Sequence, residues 1–168
     1  FIGAHRRMQF KGKYNGADLY DDFAHHPDEL RAVIDVVKTM GYKRFVLVFQ
    51  PYTYTRTVSF FDDFVRELEK ADHLVLPEIC AARETDTLGI SSRHLQEKIP
   101  GSVYFETLPE VTETLKTIAQ PGDVIYAVDG KLMTEIGFDN GAAAIKGDEN
   151  TQVELGIYRG QIPPEKEE

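Results

Sequence analysis

Three short runs of nearly uninterrupted apolar residues, Arg44–Gln50 (RFVLVFQ), His73–Pro77 (HLVLP) and Val124–Val128 (VIYAV), alternate with segments whose apolar residues recur at helical spacing. A strand apolar at successive positions needs cover on both faces, and strands separated by amphipathic helices run parallel. Four such units are present, which predicts an α/β fold with a mostly parallel sheet and helices on both faces. Leu30, Val33, Ile34, Val37 and Met40 fall on one helical face, with Pro27 in the first turn, Asp28 and Glu29 at the positive helix end, and Gly41 as the stop. The next helix carries Phe61, Phe64, Val65 and Leu68 on one stripe and Asp62, Asp63, Arg66, Glu67 and Lys70 on the other. Another follows Ser91 and Ser92 through Leu95 and Ile99. After a strand at Ser102–Phe105, a last helix runs from Pro109 towards Pro121-Gly122. The chain opens with a hairpin-like pair, Met8–Lys11 and Asp18–Phe23, joined by the turn-rich Gly12-Lys13-Tyr14-Asn15-Gly16. Beyond Gly130 the periodicity fades into turns, one edge strand at Val153–Tyr158, and a solvated tail over residues 163–168, so the domain is expected to span residues 1–162.

The 168 residues suffice for one core without disulfides or a structural metal. A net charge of -9 opposes a nucleic-acid footprint, which rests on clustered Lys and Arg. No apolar run approaches the roughly 20 residues of a membrane span. The single Cys80 excludes an internal disulfide and, with no export leader in view, a cytoplasmic location is expected. Cys80 has no evident His partner and reads as a packed thiol. The chain begins Phe1-Ile2-Gly3 rather than with Met, which reads as a start inside a longer sequence.

Chemistry-bearing residues concentrate where strands give way to helices, the edge at which open α/β sheets bind ligands. The densest stretch is Tyr20-Asp21-Asp22-Phe23-Ala24-His25-His26-Pro27-Asp28-Glu29. Asp22 or His26 can equally cap the following helix, and paired histidines are often solvated. His25 and His26, adjacent and without a Cys pair, make no zinc signature, so no metal site is expected. Arg6-Arg7 precedes the first strand and offers a guanidinium fork for phosphate or carboxylate, or a plain surface charge pair. Gln50-Pro51-Tyr52-Thr53-Tyr54-Thr55-Arg56-Thr57 follows the strongest strand with hydroxyls, aromatic faces and one Arg; the alternative is a helix cap at Thr55 or Thr57. No G-x-x-x-x-G-K-[ST] phosphate loop occurs, and Gly130-Lys131 is not one.

Taken together, Gly3-Ala4-His5-Arg6-Arg7 (G-x-x-R-R), Asp21-Asp22-Phe23-Ala24-His25-His26-Pro27-Asp28-Glu29 (D-D-Y-[AG]-H-H-P-T-E), Phe49-Gln50-Pro51-Tyr52-Thr53-Tyr54-Thr55-Arg56-Thr57 (F-Q-P-H-x-[YF]-[ST]-R-T) and Ala81-Ala82-Arg83-Glu84 resemble the carboxy-terminal, Rossmann-like domain of the Mur ligases, in their alanine-adding branch. The similarity is close from Phe1 to about Gly89 and looser to Pro121-Gly122-Asp123. It implies an ATP-dependent ligase of peptidoglycan synthesis. In that reaction ATP converts the carboxylate of UDP-N-acetylmuramate to an acyl phosphate, which the amino group of L-alanine attacks. Amino-terminal and central domains would act in cis, the central one holding the magnesium and most of the ATP, so the isolated chain is expected to be inactive.

By match to those motifs, Arg7 would reach the ATP phosphates and Asp22 the ribose hydroxyls, and both count as catalytic. Phe23, His25 and His26 would complete the cofactor side, while Tyr52 and Arg56 would serve the substrates, Arg56 through a carboxylate. Arg7 and Asp22 are both expected to be exposed to a common cleft. This chain departs from the family at Phe23, where Tyr is usual, at Tyr52, where His is usual, and at Val128-Asp129-Gly130-Lys131, where the family carries G-A-G-D. Two other readings compete: a murein-peptide recycling ligase sharing the D-D-x-x-H-H-P block, and a free-standing nucleotide or UDP-sugar binding module without catalysis.

Overall fold

A computed structural model describes residues 7–81 and 83–128. In chain order it contains β1 (Gln9–Tyr14), β2 (Ala17–Asp22), α1 (Pro27–Thr39), β3 (Arg44–Phe49), α2 (Tyr54–Ser59), α3 (Phe61–Leu68), β4 (His73–Pro77), α4 (Ser92–Lys98), β5 (Val103–Phe105), α5 (Leu108–Ile118) and β6 (Asp123–Val128). The strands form one six-stranded sheet in the order β1-β2-β6-β3-β4-β5. All neighbours are parallel except β1, which pairs antiparallel with β2. The expected α/β class and the opening hairpin therefore both stand.

The continuous apolar strands are explained by two separate cores. Phe45, Leu47 and Phe49 of β3, with Leu74, Leu76, Val124, Tyr126 and Val128, face Leu30, Ile34 and Val37 of α1, Phe64 and Leu68 of α3 and Leu95 of α4. The intervening Val46, Val48, Val75, Ile125 and Ala127 face Val111 of α5. Each fully buried Leu or Phe in these layers contributes about 2 kcal/mol relative to exposure. At the amino ends of the strands, Arg44 pins β3 to β6 through Asp123, with Nε to Oδ1 at 3.1 Å and Nη2 to Oδ2 at 2.5 Å. That end is committed to structure, and the opposite end carries the loops.

Three local expectations change. Gly12–Tyr14 is not turn but the continuation of β1, bulged between Phe10 and Gly12, and only Asn15-Gly16 makes the turn. Both residues have positive φ, 48° and 77°, as a two-residue hairpin whose twist matches its strands requires. A Cβ at position 16 would lie 2.9 Å from Pro121, so the hairpin docks there through a glycine. Second, the stretch after β3 forms a short helix of its own, α2, capped by Thr53 rather than by Thr55 or Thr57. Third, Phe23 lies outside β2, which stops at Asp22. The edge strand at Val153–Tyr158, Gly130-Lys131, the Asp129 departure and the domain limit at 162 lie outside the described residues.

Candidate functional site

The carboxyl ends of β2, β3 and β4 lead into α1, α2 and α4, and every predicted site residue except Arg7 lies at the first two of these junctions. At the β2–α1 junction Asp22 ends its strand with a buried side chain, 4% exposed. Its carboxylate accepts from Met8 N at 2.7 Å, Ala24 N at 2.7 Å and Tyr126 Oη at 2.8 Å. Burial and the adjacent Asp22 carboxylate push the Tyr126 phenol well above its ordinary pKa, which keeps it a proton donor to Asp22. The expectation that Asp22 is exposed is thus corrected: the residue fastens β1, β2, β6 and the turn into α1 together. Asp22 does not cap α1.

His26 does. Its Nδ1 accepts from Asp28 N at 3.3 Å, and Glu29 closes a capping box. Glu29 Oε2 accepts from His25 N at 3.0 Å and His26 N at 3.2 Å. Burial works to raise the Glu29 pKa, but the His25 and His26 amides and the nearby charges of His25 and Arg7 bring it below the ordinary carboxylate value. The His26 ring meets Phe60 edge-on, 4.5 Å between centroids.

The remaining rings converge. Phe23 meets His25 edge-on at 4.9 Å and Tyr52 edge-on at 5.9 Å, and His25 and Tyr52 lie 6.2 Å apart. Residues from two junctions thereby build one aromatic cluster, with Phe23 36% exposed. Beside it, Arg7, Met8, Asp22, Ala24, Glu29 and Val33 contribute to a cleft of about 600 Å³ along α1. The Arg7 side chain is 72% exposed, with Nη2 3.9 Å from Glu29 Oε1. Arg7 and Asp22 both line this cleft, and of the two only Arg7 projects freely from its wall.

At the β3–α2 junction, Thr53 Oγ1 accepts from Arg56 N at 3.4 Å and Thr53 O accepts from Thr57 Oγ1 at 2.7 Å. The Arg56 Nη1 is buried and has no hydrogen-bond partner among the described residues. Glu84, to which no role was assigned from sequence, accepts from Thr55 N at 3.0 Å and from the Thr55 hydroxyl. These bonds, ahead of the burial that opposes them, hold the Glu84 carboxyl below its ordinary pKa. At the β4–α4 junction Glu78 accepts four bonds, from Ser91 Oγ at 2.6 Å, Tyr104 Oη at 2.7 Å, Ile79 N at 2.7 Å and Ser92 N at 3.1 Å. It is saturated by its own fold and unavailable to a ligand. The spacing of neither glutamate reveals these partners.

The arrangement suits part of a nucleotide. Exposed ring surface can stack on a base, and the unencumbered Arg7 can meet phosphate charge. The amides of His25 and His26 are already taken by Glu29 and that of Asp28 by His26 Nδ1, however, so the helix end offers less to a triphosphate than a phosphate loop would. Among the described residues no group of three or more His, Cys, Asp or Glu can hold a metal ion, and no helix is long and apolar enough to cross a membrane.

Residues 6–128 match the family model described as Mur ligase, glutamate ligase domain. The UDP-N-acetylmuramate–L-alanine ligase of Agathobacter rectalis is 43% identical over 143 residues, covering 83% of this chain and 31% of that protein. The same-named protein of Clostridium novyi is 40% identical over 141 residues, covering 82% of the chain and 31% of its own length. Among solved structures, UDP-N-acetylmuramate-alanine ligase from Thermotoga maritima superposes with a TM-score of 0.62 at 20% identity, over 85% of this chain and 31% of that one, a likeness of fold. The chain spans about a third of the length of the curated relatives it matches.

Proposed function

The chain belongs to the Mur ligase family through its glutamate ligase domain, and from that premise we propose that it forms one wall of the nucleotide and substrate sites of an ATP-dependent ligase joining L-alanine to UDP-N-acetylmuramate in peptidoglycan precursor synthesis. The observation that carries this reading is spatial: Arg7 and Asp22 meet in one cleft beside the Phe23–His25–Tyr52 cluster, in a chain with 43% identity to an alanine-adding relative. ATP, held with magnesium mainly by preceding domains, supplies the phosphoryl group that activates a carboxylate. Arg7 places a fixed positive charge where negative charge shifts during that transfer. Phe23 and His25 present ring faces to the base, while His26 sets the position of His25 by fixing the start of α1. Asp22 spends three acceptor sites on its own fold; a carboxylate has about four, which leaves one for a ribose hydroxyl reaching in from the cleft. Tyr52 and Arg56 face the substrate side, with the guanidinium as the partner of a carboxylate.

The test is alanine-dependent phosphate release. Joined to the domains encoded upstream, the chain is expected to release phosphate only when ATP, UDP-N-acetylmuramate and L-alanine are all present, and alone to release none. Preference for a murein peptide over L-alanine would move the assignment to the recycling branch. Tight nucleotide binding with no turnover in the joined protein would favour a binding module.

A further inference from the structure

The site segment after β3 is held in place by residues that follow β4. Gln50 Nε2 donates to Glu78 O at 2.8 Å, and Cys80 N donates to Pro51 O at 2.8 Å. Ala81 then adopts φ 61°, a left-handed conformation rare for a residue with a side chain, and Glu84 N closes the turn onto Ala81 O at 2.7 Å. The turn brings the Glu84 carboxylate over the first residues of α2, where it takes both the amide and the hydroxyl of Thr55. Two bonds from one residue fix the direction in which α2 starts. Arg56 is the next residue, and its charge acts in turn on Glu84. Its Nη1 is buried, and α2 carries it to a place where no described residue offers that nitrogen an acceptor. A six-residue helix of Tyr, Thr, Arg, Thr, Val and Ser has little intrinsic helical preference to hold that aim unaided.

We propose that Glu84 is a positioning residue: by clamping Thr55 it orients α2 so that Arg56 meets the carboxylate of a substrate. This rests on the reading of Arg56 given under the proposed function. Both UDP-N-acetylmuramate and L-alanine carry a carboxylate, and kinetics separate them. Glu84 touches neither substrate. Its removal changes the aim of Arg56 and leaves the base and phosphate contacts around Phe23 and Arg7 as they are.

The experiment uses the complete ligase with Arg56→Ala, Glu84→Gln, Thr55→Val, Thr55→Ser and the Arg56→Ala/Glu84→Gln double variant. KM for ATP, UDP-N-acetylmuramate and L-alanine, kcat and melting temperature are measured on each. Glu84→Gln and Thr55→Val are each expected to raise KM for one carboxylate substrate about tenfold, the scale of one weakened charged hydrogen bond, and to leave KM for ATP within about twofold. Thr55→Ser keeps both donors and is expected to behave as the parent. The double variant is expected to be no worse than Arg56→Ala, because the two act in series. An impaired Arg56→Ala beside an unchanged Glu84→Gln, or additive losses in the double variant, would overturn the proposal alone. Unchanged substrate KM values in Arg56→Ala would overturn the reading of Arg56 and the proposal with it. Should Glu84→Gln fold poorly, Thr55→Val against Thr55→Ser carries the same decision.

Discussion

The two strand-to-helix junctions that form the site are built on the same plan from differently sourced parts. In each, a histidine or threonine caps the helix and a glutamate takes backbone amides at its start. At the β2–α1 junction the glutamate is Glu29, from the first turn of the same helix. At the β3–α2 junction it is Glu84, from beyond the next strand. The first junction therefore assembles from neighbours in sequence and supports a helix of 13 residues that buries Leu30, Val33, Ile34 and Val37. The second depends on a distant segment and supports a helix of six residues that buries only Thr57. Stability is concentrated in the first junction, and adjustable aim in the second.

The largest break in this contrast is expected at Asp22. Asp22→Ala leaves Met8 N, Ala24 N and Tyr126 Oη without their acceptor in or near the core, at about 1 kcal/mol or more apiece, so a loss of about 3 kcal/mol is expected. Thermal and urea unfolding of the chain measure it. A melting temperature equal to that of the parent would show that water replaces the carboxylate and that Asp22 is less structural than its bonds imply. The smaller effect lies at the cap of α1. His26→Ala removes the acceptor of Asp28 N and the edge-on contact with Phe60, and is expected to lower stability by about 1 kcal/mol and, acting only through the position of His25, to raise KM for ATP in the complete ligase by no more than about twofold. A raised KM with full stability would instead place the His26 ring at the nucleotide.

The difference between the junctions also explains what the sequence revealed. α1 was legible because its apolar face, its proline, its acidic first turn and its stop all lie within one short window. β3, β4 and β6 were legible because strands covered on both faces leave no polar alternation. α2 was missed: its aromatic and β-branched residues lack helical preference, and its clamp lies at Glu84. Asp22 was recognised as important but placed on the wrong side of the wall. Its partners Met8 and Tyr126 lie far away in sequence, and a carboxylate's burial is set by such partners rather than by its neighbours. The ring cluster was half legible, since both stretches stood out while the contact of Phe23 with Tyr52 needed the sheet to bring them together.

Arg7 tests the central claim most directly, because it shares the cleft with Asp22 yet has a side chain 72% exposed and only a long ion pair to Glu29. In the complete ligase Arg7→Ala is expected to lower kcat by about 10²-fold, as loss of a charge-stabilising donor does, with the melting temperature unchanged. An unchanged kcat would contradict the assignment of this cleft to the reaction, whatever Asp22 contributes to the fold.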